Sequence, residues 1–547
     1  MNRAVRLAIC AVLCVSPLLA QEHHHHGTEA MPQGERLGSV HFPVSCPSVQ
    51  QPFERGVALL HSFWYEEAQK QFEVVAKQDP GCAMAHWGVA MSYFHQLWDR
   101  PNASVVERGA AEMAKARALD AKTDRERQYI AALSAFYDPK LTDHVARAEA
   151  YSAKMKALYD AHPEDTEAGA FYALSLLTSE HPGDTSLQHE RAALNVLQPL
   201  FAKNPDHPGL AHYIIHTCDT PALAPQALAA AREYARIAPA SPHAVHMPSH
   251  IFARLGLWQE DIKSNEASVA ATERATANGQ GGAGHQLHAK DFLVYAYLQT
   301  GQEAKAKTIV DGTSDTMKRL SSLHEEHDEM LGMSNFYTSE YSAIYVLETR
   351  DWQRAAALPV PKRETGIGTL LTYWARTIGS ARLGQAEQAR TNAAGYQKAV
   401  TEIKSGPMAY MVEEVEVPSN EVLAWQAYAE SHADDAVARM RKAADQQDKR
   451  GQGEVDIPAR EMLADMLMES GHPDQALTEY QAALKLSPNR FNGLYNGARA
   501  AEAAKRPDVA AELYKTLMQV TDDGANSGRP ELAHAKEYLA KAQVASR

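Results

Sequence analysis

Histidine is where this sequence carries chemistry. The chain holds 25 His, unevenly placed, and two pairs stand four residues apart: His212 and His216 in HYIIH, His246 and His250 in HMPSH. Residues i and i+4 share one face of a helix, and imidazoles at that spacing form the helical half of many zinc sites. His288 and Asp291, three apart, offer a further imidazole and a carboxylate, and Asp219 and His243 lie close to the pairs. Neutral imidazoles with carboxylate suit Zn, Fe, Mn or Cu, so the expected cofactor is a divalent transition metal. More than four candidates allow one ion with supporting groups, or a two-metal centre. A single His pair at this spacing is more often exposed or hydrogen-bonded within a core. Pro248, inside HMPSH, starts or kinks a helix and re-aims His246 and His250.

Other chemistries have less to build on. The sequence has no nucleophile elbow, Walker loop, Cys-x-x-Cys or dinucleotide fingerprint. GQGGAG at 279–284 follows no strand and precedes no Lys, so it reads as a loop and not a phosphate cradle. Ser249, His250 and Asp291 compose a triad on paper, but Ser249 sits mid-helix beside its His instead of on a strained turn.

The elements that must position these histidines repeat along the chain. Residues 53–80, 459–488 and 493–517 each read as two amphipathic helices around a short polar turn, and Pro80 and Pro488 close the first two. The last two superimpose with Ala476 on Ala510 and Tyr480 on Tyr514, and the first has the same internal spacing at Ala68, Phe72 and Pro80. This pattern resembles the tetratricopeptide repeat, a helix–turn–helix unit of about 34 residues. Units at 206–239, 242–275, 287–310, 336–357 and 370–395 fit more loosely. The resemblance implies an all-α fold, a right-handed superhelical solenoid of tetratricopeptide-type repeats. The stretches LLHSFWYEEA (59–68), CAMAHWGVAMSYFHQLW (82–98), HPGLAHYIIHTCDTP (207–221), HAVHMPSHIFARLGLW (243–258) and HAKDFLVYAYLQ (288–299) further resemble a family of exported bacterial tetratricopeptide proteins without an established reaction. In such repeats the first helix of each unit lines a concave groove. Numbered by repeat, His212, His216, Asp219, His243, His246, His250, His288 and Asp291 all point into it from three successive units. His61 and His95, each three residues before a Trp (Trp64, Trp98), read as flanks of packed Trp more than as groove lining.

Composition sets the outer limits. Apolar residues make up 45% and aromatics 7%, enough for a large core with helical leanings. Lys plus Arg is 54 against 68 Asp plus Glu, a net of −14, without a basic cluster; neither nucleic acid nor an anionic membrane is an expected partner. Residues 1–20 read as a signal peptide: Arg3 and Arg6, an apolar run from Leu7 to Val15, then Leu18-Leu19-Ala20. The expected location is therefore periplasmic or secreted, with no membrane insertion after the signal is removed. Residues 21–45, with His23–His26, read as a flexible linker. Then come an array at 46–310 carrying the His-lined groove, an irregular helical connector at 311–365, and a second array at 366–547. Cys10 and Cys14 leave with the signal. Cys46 and Cys82 fall at the same end of adjacent helices in the repeat numbering, so they are expected to form a disulfide, with Cys218 left over.

Two functions follow. One is an exported binding scaffold whose groove holds a peptide or protein partner, with a His-coordinated metal. The other is a metal-dependent hydrolase or oxidoreductase with its site in that groove. In either, the expected metal set is His212, His216, His246 and His250, with His288 and Asp291 nearby.

Overall fold

The computed structural model describes residues 36–545, apart from 98–99, 182, 323–326, 363–365, 407–408, 410–414, 452, 454 and 526. The signal peptide, His23–His26 and Trp98 lie outside the described residues. The described chain is built of helices without a strand, following one another as hairpins of the tetratricopeptide type. It divides into two compact units. The first runs to Ile251 and adds Glu266–Gln286; the second holds Phe252–Asn265 and the described residues from Leu287 onward.

In the first unit the hairpins are Gln50–His61 with Tyr65–Gln78, Ala83–Ser92 with Ala103–Ala118, Asp124–Phe136 with His144–Ala161, Thr166–Thr178 with Gln188–Lys203, and Pro208–Thr217 with Ala224–Ile237. Each helix packs on the next in the chain, and the leading helices also touch between the first and second, second and third, and fourth and fifth hairpins. The repeat markers explain this. Ala68 and Phe72 are fully buried, so a small residue lets two helices approach while an aromatic fills the space beside it. Helix starts are set by caps. Thr123 and Glu126 form a reciprocal capping box, and Asp165 accepts from the backbone N–H of Glu167 and Ala168.

Residues 36–45 have no helical pattern and were expected to be part of a flexible linker. They are instead a packed strap. Phe42 is fully buried, with ring centroids 5.2 Å from Phe53, 5.5 Å from Trp87 and 4.7 Å from Tyr129. Ser45 N donates to Glu126 Oε1 (2.7 Å), Ser39 N to the Asp206 carbonyl (2.9 Å), and Ala240 N to the Arg36 carbonyl (3.2 Å). The strap thus crosses the starts of successive leading helices. At its end Cys46 is joined to Cys82, with Cα atoms 5.6 Å apart. A single aromatic, Phe42, holds a stretch whose polar backbone is satisfied by hairpin ends, which sequence periodicity cannot signal.

In the second unit the hairpins are Gly284–Gln299, from Leu287 onward, with Glu303–Ser321, His327–Glu348 with Trp352–Ala356, Ile367–Arg382 with Ala386–Ser405, Glu416–Ala429 with Ala433–Arg450, Ala459–Glu469 with Pro473–Leu486, and Phe491–Ala503 with Pro507–Val520; Pro530–Ala545 follows. The 311–365 stretch, expected to be an irregular helical connector, contains the 22-residue helix His327–Glu348. No helix among the described residues is long and apolar enough to cross a membrane.

Candidate metal centre

The helix Pro208–Thr217 carries the first His pair. Pro208 stands at its first position, where a missing N–H costs nothing. His207 caps it, its Nδ1 accepting from Leu210 N at 3.2 Å. Every residue of this helix is buried, because PGLAHYIIHT is apolar on all sides and such a helix must be enclosed. Its imidazoles therefore sit inside the unit and not on an open groove, as the repeat numbering had placed them. His212 is fully buried, His216 and His243 are 2% exposed, and His246 is 1% exposed. Pro248 acts as the sequence suggested: it ends Pro242–His246 and opens Pro248–Arg254. His246 and His250 are thus on two short helices, yet their Nε2 atoms are 3.0 Å apart.

One nitrogen of His212, His216 and His243 each lies within 4.8 Å of the others. At His212 the proton position is fixed by its partner. His212 Nδ1 is 2.6 Å from the backbone carbonyl of His61. A carbonyl only accepts, so Nδ1 carries the proton and Nε2 presents its lone pair. That Nε2 stands 3.2 Å from His243 Nε2. Two nitrogens each about 2.05 Å from one tetrahedral ion are about 3.3 Å apart. His250 repeats the arrangement: Nδ1 lies 3.0 Å from Asp219 Oδ2, which directs its Nε2 towards His246. Tying Nδ1–H to an oxygen is how metal-ligating imidazoles are commonly oriented. The two pairs are contiguous, with ring centroids 6.3 Å apart for His216–His250 and 6.0 Å for His243–His246. His285, which the sequence reading did not single out, lies 5.0 Å from His243. Burial pushes the His212 imidazole down to about 3 and His285 down to about 4, and pushes His243 well below the ordinary value, so the rings are neutral. His288 and Asp291 belong to the second unit, where His288 packs edge-on to Phe292 at 5.3 Å and Asp291 neighbours Tyr341. Cys218 is buried, outside the disulfide.

A second cluster in the first unit shows what a closed network looks like. His61 Nε2 and His207 Nε2 donate to the two oxygens of Glu167 at 2.7 and 3.0 Å. His61 Nδ1 meets Tyr213 OH at 2.9 Å, and His207 Nδ1 already accepts from Leu210. All four ring nitrogens are engaged, leaving no lone pair for an ion. Burial alone would raise the Glu167 carboxyl; the two imidazoles outweigh it and hold the pKa well below the carboxylate range. This role of His61 was not legible from sequence, since 106 residues separate it from Glu167. His95 stacks on Tyr65 at 4.4 Å.

Phe63 closes the His cluster. Its ring lies 4.4 Å from His212, 5.4 Å from His216 and 5.8 Å from His243, nearly parallel to the last two. It occupies the hairpin turn two residues before the second helix, with φ +51. Gly256, Gly301, Gly384 and Gly471 serve at the same place in other hairpins with φ between +64 and +79. Arg350, Ser431 and Lys505 take the same left-handed backbone at that place in other hairpins, with φ between +56 and +63, so the angle belongs to this turn, and what sets Phe63 apart is the imidazoles that its ring covers.

Gly209 admits the His61 ring: a Cβ there would lie 2.3 Å from His61 Nδ1. Gly209→Ala is expected to lower stability by about 1–3 kcal/mol through overpacking, measured by urea unfolding; an unchanged midpoint would contradict that contact.

No protein-family model matches the chain, and no curated protein does either. Solved structures similar to it include a human IFIT1 dimer with m7Gppp-AAAA, at 12% identity over 84% of this chain and 94% of that one, TM-score 0.39. The APC/C hetero-tetramer Cut9–Hcn1 aligns at 13% identity over 90% of this chain and 95% of that one, TM-score 0.28. Likeness of this degree says nothing about ligand or partner.

Proposed function

We propose that this helical-repeat protein binds a divalent transition metal in its first unit through His212, His216 and His243, and uses the repeat array as an exported binding scaffold. The observation that carries the reading is His212: its Nδ1–H is tied to the His61 carbonyl and its Nε2 lone pair faces His243 Nε2 at 3.2 Å. Three neutral imidazoles form the donor set of zinc sites that keep a position open, and Fe, Mn or Cu also accept it. His246 and His250, with Asp219 behind His250, adjoin the triad and orient what it holds. The Cys46–Cys82 disulfide supports an oxidising, exported location. Repeat arrays mostly bind, and by that analogy of fold the partner is a peptide or protein. The Asp219–His250 pair favours a second reading, metal-dependent hydrolysis with His250 as the base.

The test is elemental analysis of untagged full-length protein, followed by EDTA treatment and titration with Co2+. About one ion per chain and the visible spectrum of a nitrogen-coordinated Co2+ are expected. His212→Gln, His216→Gln and His243→Gln should each weaken binding at least about tenfold. His432→Gln and His472→Gln, at exposed positions, should change nothing. Metal retained by all three triad variants, or equal loss in the two exposed ones, would overturn the assignment.

A further inference from the structure

A loop of the first unit lies over the edge of the His cluster. The GQGGAG stretch at 279–284 passes from exposed at Gly279 to buried at Gly282 and Ala283. Its inner side rests on His285: a Cβ at Gly282 would lie 2.9 Å from His285 Cδ2 and 3.2 Å from Trp64 Nε1. His285 stands 5.0 Å, ring to ring, from His243. The order from the surface inwards is loop, His285, His243 and then His212, whose Nε2 faces that of His243.

The first hairpin fastens this loop. Trp64 Nε1 donates to the Gly281 carbonyl at 3.0 Å, and Gly281 N donates to Glu67 Oε1, also at 3.0 Å. Lys70 Nζ, 2.7 Å from the same oxygen, holds Glu67 in place. One turn therefore covers the imidazoles with Phe63 and secures the loop with Trp64. Gly279 and Gly282 have φ of +72 and +94, backbone that glycine enters freely, and they bracket the anchored Gly281 as hinges. Closure is not fully favourable. Gln280 Nε2 is buried without a hydrogen-bond partner among the described residues, and a buried donor left unpaired is unfavourable. Swinging the loop out returns that donor to water.

The imidazoles beneath are buried, and a dication does not cross an apolar interior unaided, because losing its water is too unfavourable. It has to pass between donors. We infer that the 279–284 loop is the gate of the metal centre and that His285 receives an incoming transition-metal ion and passes it to His243; this rests on the metal site proposed above. With the loop swung out, His285 meets solvent while His243 stays one ring further in. His285 takes the place of one water on the ion, and His243 and His212 then replace others at about 2.0–2.1 Å.

Two readouts on the full-length protein separate the gate from the metal. The first needs no ion: carbethoxylation of His285 and His243 by diethyl pyrocarbonate in metal-free protein, followed by peptide mass spectrometry. Trp64→Phe keeps a ring and removes the N–H, and should raise both rates about three- to tenfold. A Cβ at Gly281 would lie 2.8 Å from Glu66 Cβ, so Glu66→Cys with Gly281→Cys is within about 1 Å of disulfide geometry. That lock should slow both rates at least about tenfold relative to Glu66→Cys alone. Equal rates in parent, Trp64→Phe and lock would overturn the gate, whether or not metal binds. If one of these variants loses its helical circular dichroism, or the lock leaves its thiols alkylable, the other decides. The second readout is the rate of Co2+ uptake, which should follow the same order. His285→Gln should slow uptake about tenfold while weakening the equilibrium affinity less. Uptake by His285→Gln at the parental rate would overturn the entry role. A protein that binds no Co2+ would overturn it together with the metal site, and the gate then stands or falls on the carbethoxylation rates.

Discussion

Arg490→Met is expected to destabilise the second unit by about 3–5 kcal/mol, because it leaves buried carboxylates without their cation. Arg490 is fully buried. Its Nη2 donates to Glu348 Oε1 at 2.7 Å and its Nε to Glu461 Oε1 at 2.6 Å. Nη1 reaches the Asp456 carbonyl at 3.1 Å and also bonds Tyr295 OH. One guanidinium therefore ties together Gly284–Gln299, His327–Glu348 and Ala459–Glu469. A planar fork of five donors makes these bonds at once; Lys cannot, so Arg490→Lys should recover less than half of the loss. Adding Glu348→Gln and Glu461→Gln to Arg490→Met removes the stranded charges and should restore part of the stability. Urea unfolding of the four proteins measures this. A loss below about 1 kcal/mol in Arg490→Met would show that the charges find water on their own.

Cys46→Ser with Cys82→Ser is expected to cost the first unit about 3–4 kcal/mol, from the loop entropy regained by a 36-residue separation. The same change frees one end of the strap, so loss of the Phe42 contacts adds to it. Dithiothreitol should lower the melting temperature of the parent protein and leave that of the double variant where it is. A parent unaffected by the reductant while its thiols become alkylable would remove the disulfide from the stability account.

The hairpins were legible because repeat physics is local. Ala476, Ala510 and Tyr514 are fully buried and Tyr480 is 1% exposed, in the roles that their spacing implied. The His pairs were legible for the same reason: i and i+4 is a property of one helix. What the sequence concealed is nonlocal. His243, which the repeat numbering had already gathered with His212 and His216, reaches them because two hairpins bring the three together. Repeat numbering placed the imidazoles in an open groove, whereas every residue of Pro208–Thr217 is buried. Phe63 gave no signal, since its ring meets imidazoles that lie far along the chain. Glu167 meets His61 and His207 through turns of the array that no spacing encodes.

The strap of residues 36–45 has a consequence for how the first unit comes apart. An array held by nearest-neighbour contacts can shed hairpins from an end, each with its own free energy, and broad, sloping melts result. Here the backbone near Ser39 and Arg36 is bonded at Asp206 and Ala240, while Cys46 is fixed to Cys82. The first hairpin is thereby tied to the fifth, and an end hairpin cannot fray without breaking bonds on hairpins far along the chain. Amide exchange should accordingly show the slowest protons of the first, third and fifth hairpins opening with a common free energy, which makes the five hairpins one cooperative body instead of a string of separable pieces.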